Sequence, residues 1–191
     1  MTGFDRSRIE AAVAEILAAI GEDPTRAGLQ STPSRVADAY QEFFAGLGQD
    51  PQAELGDPIP LEGADAETVL MRDIRFRSVC EHHLLPFLGV AHVAYLPHDR
   101  IVGLGRIPRM IEALAARPQL QERLGEQIAE TLEAGVGAKG VLVVLDATHE
   151  CVTTRGARQS DSSTVTIASR GALAEPAARA ELISLIGRGI A

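Results

Sequence analysis

This 191-residue chain is poor in several things that would point to particular functions. No apolar run approaches the roughly 18–20 residues needed to cross a bilayer, so a membrane-spanning role is not expected. The first 21 residues, MTGFDRSRIEAAVAEILAAIG, carry charges and helical patterning rather than the apolar core and cleavage site of a secretory signal, which makes the cytoplasm the expected location. Two cysteines are too few for a disulfide framework; in a reducing compartment they are expected to be metal ligands or buried thiols. Positive charge is scarce as well, with 18 basic against 26 acidic residues and a formal net charge of −8. That balance argues against a nucleic-acid binder, which needs a basic surface. Lysine is almost absent: Lys139 stands alone against seventeen arginines. Any anionic substrate must therefore be met by locally gathered arginines.

What is present is a globular composition, 46% apolar, of a length suited to one domain or one domain with an extension. Ile9, Val13, Ile16 and Ile20 recur at helical spacing up to Gly21. After a turn-rich connection, Thr32 and Pro33 predict the N-cap and first residue of a second helix. GQDPQAELGDPIPLEG is rich in Gly and Pro and predicts a loop or linker. The boundary is placed near Ala64, giving an N-terminal helical part over 1–63 and a catalytic part over 64–191.

Beyond it the pattern predicts strands. TVLMRDIRFRSV alternates, with Ile74 and Phe76 on one side and Arg75 and Arg77 on the other, and GVAHVAYLP is a second strand. A helical stretch follows that Pro118 divides, its second half carrying Leu120, Leu124, Ile128 and Leu132 in an apolar stripe. GVLVVLDATHECVTT begins as a wholly apolar strand buried on both faces, SSTVTIASR is a further strand, and EPAARAELISLIGRG a terminal helix. The expected class is α+β: two N-terminal helices, then β-β-α-α-β-β-α, an antiparallel sheet backed by helices.

Chemistry concentrates in two places. Cys80-Glu81-His82-His83 holds one of the two cysteines and two of the five histidines, and His149-Glu150-Cys151 holds the other cysteine and one more histidine. Zinc favours thiolate and imidazole donors. A helical turn over Cys80–His83 would put those two residues on one face, and an extended HEC would project His149 and Cys151 to the same side. If the segments meet, a closed structural site would use four donors, and a catalytic site three with a position left for water. Spacing alone does not show that they meet.

CEHHLLPFLG, ARPQLQERL and HECVTTRG, in that order and preceded by GEDPTRAGLQSTPSRVA, resemble the GTP cyclohydrolase I family from about Gly21 to Gly171. The resemblance implies the tunnelling fold with an N-terminal helical extension. It implies one Zn2+ per subunit held by Cys80, His83 and Cys151 with water in the fourth position, and a toroidal homodecamer with active sites at subunit boundaries. The implied reaction converts GTP and water to 7,8-dihydroneopterin triphosphate and formate, the first step of tetrahydrofolate and pterin biosynthesis. His149 is then the donor of a proton to N7 of the purine and His82 the carrier of later proton transfers at the sugar. Glu122, with Gln121 beside it, matches the guanine-reading position, and Arg106, Arg109 and Arg155 are the expected triphosphate contacts, Arg77 a weaker one.

One departure stands out. The family's usual Gly-Leu-Ser-Lys reads Gly103-Leu104-Gly105-Arg106 here, which keeps the charge but removes a hydroxyl. Gly105 is the sole sequence support for an alternative in which the ring is opened but a different product leaves. A non-enzymatic GTP-binding protein with a closed zinc site is a further alternative, in which the phosphate and guanine residues go unexplained.

Overall fold

The structure, a computed structural model, describes residues 3–61 and 67–187. The boundary expected near Ala64 lies outside the described residues. The chain divides into two compact units, Met1–Ala45 and Gly46–Ala191.

The first unit is a helix pair. Helix α1 (Arg6–Ala19) starts at Asp5, whose carboxylate accepts the backbone N–H of Arg8 and so satisfies an orphan donor of the first turn. Helix α2 (Thr32–Phe43) begins one residue earlier than expected: Ser31 takes the N-cap position, Thr32 is already helical, and Pro33 falls in the first turn, where its missing N–H costs nothing. Arg6 ties the two helices, donating to Asp38 at 2.6 Å and to the Ser34 carbonyl at 3.3 Å. The apolar stripe of α1 finds little cover within this unit: Ile16 is 59% exposed and Ile20 72%.

The second unit opens with a helix where a loop was expected. Asp50 accepts the N–H of Gln52 at 3.0 Å and Pro51 occupies the first helical position, so α3 (Pro51–Leu55) forms inside the Gly- and Pro-rich stretch. The Gly and Pro on either side mask this local start signal in the sequence. Leu55 is buried at its end.

A two-residue pairing joins β1 (Ile59–Pro60) to β4 (Arg100–Ile101). The main sheet has the order β5-β2-β3-β6-β7, built from β2 (Val69–Cys80), β3 (Pro86–Leu96), β5 (Pro118–Gln119), β6 (Gly140–His149) and β7 (Thr164–Gly171). All neighbours are antiparallel except the short β2–β5 pairing. Helices α4 (Arg106–Ala115) and α5 (Gln121–Val136) are separated at Pro118, as expected, but the break contributes β5 rather than a mere kink. Gly137, in the left-handed region at φ 65°, ends α5, a conformation that glycine adopts without Cβ penalty.

Side-chain alternation assigns the two faces. Ile74, Phe76, Phe87, Ala91, Val93, Tyr95, Val141, Val143, Leu145 and Ala147 form one core with α4 and α5. Leu124, Ile128 and Leu132 of the predicted stripe are fully buried in it, each worth about 1.5–3 kcal/mol of apolar burial. On the other face, Ala94, Leu142 and Val144 pack with Leu173 and with Leu182 of α7 (Pro176–Gly187). Strand β6 is therefore covered on both sides, as its continuous apolar run predicted. Gly89 is required by close approach: a Cβ there would run into the Asp146 backbone of the neighbouring strand. This is the α+β arrangement expected of the tunnelling fold, an antiparallel sheet with two helices on one face. No helix among the described residues is long and apolar enough to cross a membrane.

Candidate active site

Because β2 and β6 are both antiparallel to β3, they run parallel to each other and deliver their carboxyl ends to the same edge of the sheet. Cys80 is the last residue of β2 and His149 the last of β6. The start of β3 lies between them, with Pro86 opposite Val79 and Phe87 opposite His149. Topology thus brings together two segments some seventy residues apart in the chain.

After Cys80 the chain makes one tight turn. The Leu84 N–H donates to the Cys80 carbonyl at 2.9 Å and the Cys80 N–H to the Leu85 carbonyl at 2.9 Å. Leu84 sits at φ 52°, an uncommon conformation for a residue with a branched side chain. Cys80 ends a strand and His83 lies in the turn after it; the two meet across that turn, which one bond of helical i to i+4 spacing closes. The HEC segment differs from expectation. Its strand stops at His149, and Glu150–Thr153 form a short helix, α6, so Cys151 reaches the site from a helical turn.

The ligand atoms of Cys80, His83 and Cys151 lie within 4.8 Å of one another. A tetrahedral zinc site spaces sulfur and nitrogen donors roughly 3.5–3.8 Å apart, so the three can close on an ion by small side-chain rotations. Two thiols and one imidazole are also the donor chemistry zinc selects. Among the described residues no other cluster of three such groups could hold a metal. Cys80 is buried, Cys151 half-buried and His83 exposed. Burial and the neighbouring Cys80 raise the pKa of the Cys151 thiol, while Arg155 pulls it down; a bound cation would favour its thiolate.

Two further imidazoles flank the triad. The His82 ring meets the His83 ring edge-on, with centroids 6.2 Å apart. His149 is stacked flat on Phe87, centroids 4.6 Å apart and planes 6° from parallel, and its Nε2 lies 2.7 Å from Gln121 Oε1. Burial lowers the His149 pKa, opposed by the charge of Glu122.

Gln121 and Glu122 open α5 with different exposures. Gln121 is 1% exposed and turned inward onto His149 and strands β6 and β7. Glu122 is exposed in the first turn, where the helix dipole favours an anion. Arg106 and Arg109, both exposed at the start of α4, line a cavity of about 350 Å3 with Gly103, Leu104 and Gly105. That cavity includes none of the metal-donor residues. Arg77 borders a second hollow of about 600 Å3 with Arg75, Leu88, Val90 and Glu112. A Cβ built on Gly105, at φ −68°, meets nothing within 4 Å.

The sequence reading missed the pairs that hold the site. Nothing in the sequence around Phe87 marks it as a partner of His149; the stacking follows from strand register. Glu81 and Arg123 form a two-pronged ion pair, and the Glu81 N–H donates to the Gln119 carbonyl at 3.0 Å. No spacing rule links those positions.

Comparison with known proteins shows the family. The chain is 74% identical over 191 residues to GTP cyclohydrolase 1 of Leifsonia xyli subsp. xyli, covering all of both chains. It is 52% identical to GTP cyclohydrolase 1 of Rhodopirellula baltica, over 96% of this chain and 80% of the other. With the Streptomyces griseus protein of the same name it shares 51%, over 96% and 91%. The model of the GTP cyclohydrolase I family matches residues 9–187. On this coverage and identity, the chain belongs to the GTP cyclohydrolase I family.

Proposed function

We propose that this site opens the purine ring of GTP by hydrolysis, releases formate and rearranges the remainder to 7,8-dihydroneopterin triphosphate. The observation that carries the reading is the convergence of Cys80, His83 and Cys151 in a chain of this family. Three donors leave one tetrahedral position for water, as a hydrolytic site requires. We assign the ion as Zn2+, one per subunit; when bound it lowers the pKa of water from about 15.7 to around 7 and so supplies a nucleophile for C8.

The remaining tasks fall to the chain's own residues. His149 and His82 are the proton carriers, with His149 serving N7 and His82 the later steps at the sugar. His149, held in plane by Phe87, has the fixed geometry that proton transfer to one atom demands. Glu122 offers a carboxylate to the N1 and N2 donors of guanine, a bidentate match, with Gln121 behind it. Arg106 and Arg109, with Arg155, neutralise the triphosphate, for which the guanidinium fork suits paired oxygens.

The chain acts as a homo-oligomer in this reading, the family's toroidal decamer, with sites at subunit boundaries. Support comes from edges and faces left uncovered in one copy. Among the described residues, strand β2 has a neighbour on its outer side only at Val79 and Cys80, β7 is an open edge, and Leu88, Val165 and Ile167 are about half exposed on the sheet. A cytoplasmic location fits a thiolate metal site.

The test is incubation of the zinc-loaded protein with GTP, measuring formate and product mass, beside His149→Ala and Cys151→Ser. Formate with dihydroneopterin triphosphate, and its loss in both variants, is the expected result. Variants that turn over GTP at the parent rate would overturn the site assignment. The hydroxyl missing at Gly105 supports one second reading, a ring-opening enzyme that releases a formamidopyrimidine nucleotide; the product mass separates the two.

A further inference from the structure

Gln121 is the most completely engaged polar side chain next to the site. Its Nε2 stands 2.8 Å from the Thr164 carbonyl, 3.1 Å from the Leu145 carbonyl and 3.2 Å from Thr166 Oγ1. Its Oε1 stands 2.7 Å from His149 Nε2. Two of those neighbours are backbone carbonyls, which can only accept. Were the amide reversed, its oxygen would face both of them at hydrogen-bond distance with no hydrogen between, in a place that is 1% exposed and has no solvent to relieve the clash. The amide orientation is therefore fixed by the ladder carbonyls of β6 and β7. An amide oxygen cannot donate, so the ring atom it meets must carry the hydrogen.

We infer that Gln121 is a positioning residue that sets the neutral His149 ring as its Nε2–H tautomer, so that Nδ1 is the atom that takes up a proton and, from the imidazolium form, passes it on. Among the described residues nothing hydrogen-bonds to Nδ1, and the stacked Phe87 holds the ring plane in which that nitrogen points. The device is anchored in the fold rather than in a loop: Gln121 is the first residue of α5, and its acceptors belong to two hydrogen-bonded strands. A histidine whose second nitrogen is pinned in this way presents a single defined atom to its reactant. The role at the substrate rests on the ring-opening reading; the tautomer rests only on the hydrogen-bond geometry.

The experiment is ring 15N NMR of the zinc-loaded, full-length protein labelled selectively at histidine, with His149→Asn used to assign the resonance. The parent is expected to show hydrogen on Nε2 and none on Nδ1 in the neutral ring. Gln121→Met should lose that preference and lower kcat on the order of 10–100-fold, with KM changed by less than about twofold because the amide it removes is already engaged by protein groups. Gln121→Glu, held as the neutral acid because one of its oxygens faces the Thr164 and Leu145 carbonyls, donates its O–H there, still accepts Nε2–H with the other oxygen, and should restore the tautomer and part of the turnover. Hydrogen on Nδ1 in the parent would overturn the inference without any variant, as would a Gln121→Met protein that keeps both the Nε2–H tautomer and the parent kcat. Nε2–H in a protein that releases no formate would uphold the tautomer and sink the ring-opening reading. Nδ1–H with full formate release would do the reverse.

Discussion

Arg123 grips Glu81 with two nitrogens, at 2.5 and 3.1 Å from its two carboxylate oxygens. Glu81 lies between the metal-donor residues Cys80 and His83, and Arg123 follows Glu122 on α5, so the pair straps the metal turn to the helix that carries the proposed guanine reader. The strap is doubled by the backbone bond from Glu81 to Gln119 and by the β2–β5 pairing of Cys80 with Gln119.

Arg123→Ala should leave the thermal midpoint nearly unchanged, because exposed ion pairs contribute little to stability. Turnover should fall on the order of tenfold, less than the roughly 100-fold that a 1 Å misplacement at a reacting centre can cost. A melting curve and a formate assay on the same sample check it. A large drop in the midpoint with unchanged turnover would show that the pair serves the fold alone.

Removal of the metal should silence the protein without unfolding it. The donors sit where β2 and β6 end; Cys80 and Cys151 touch the core under α4 and α5, but the rest of that core is aliphatic and aromatic and needs no ion. Circular dichroism should be unaltered by a chelator while formate production stops, and added Zn2+ should restore it. Unfolding on chelation would point instead to a closed structural site.

His92 should give the protein an acid-sensitive limb of stability. It is 8% exposed, and its Nδ1 accepts the N–H of Asp73 at 3.2 Å, where β2 bulges between Met71 and Ile74 and Asp73 takes φ 58°. Burial lowers its pKa most; Asp73 and Asp146 raise it and Arg72 lowers it. The folded value lies below the ordinary 6.5, so the unfolded chain binds the extra proton first. Stability is full above about 6.5 and is lost as pH falls from there through the lower folded value. Denaturant midpoints between pH 7 and 5 should decline less steeply in His92→Gln than in the parent; equal slopes would contradict this.

Gly105→Ser should fold at least as well as the parent. The position has φ −68° and open space around a Cβ, so a side chain there meets no clash and restricts the unfolded chain. The gain should be about 0.4–1 kcal/mol. Formate release should already be present with glycine, and a rise in the share of fully rearranged product in the variant would show what the missing hydroxyl does. A variant that melts earlier would mean the space is filled by something else in the assembled protein.

Much was legible from local signals. The stripe of Leu124, Ile128 and Leu132, the alternation of Ile74 and Phe76 and the continuous apolar run of β6 report burial directly, because residue spacing and element period are both local properties. Helix α3 was missed because Gly and Pro on either side masked a two-residue start signal at Asp50 and Pro51. Cys151 was placed on a strand because nothing in HECVTT marks where extension gives way to a turn; the backbone path there is decided by the packing around it.

The sequence by itself determined the element order, the core stripes and the inventory of thiols, imidazoles and guanidiniums, since these follow from composition and period. Only the tertiary structure decided that Cys80 and Cys151 meet, that Phe87 backs His149, that Gln121 faces inward and that Glu81 reaches Arg123. Those relations depend on strand order and register, and the free energy that selects a register is spread over the whole sheet rather than written at either of the residues it brings together.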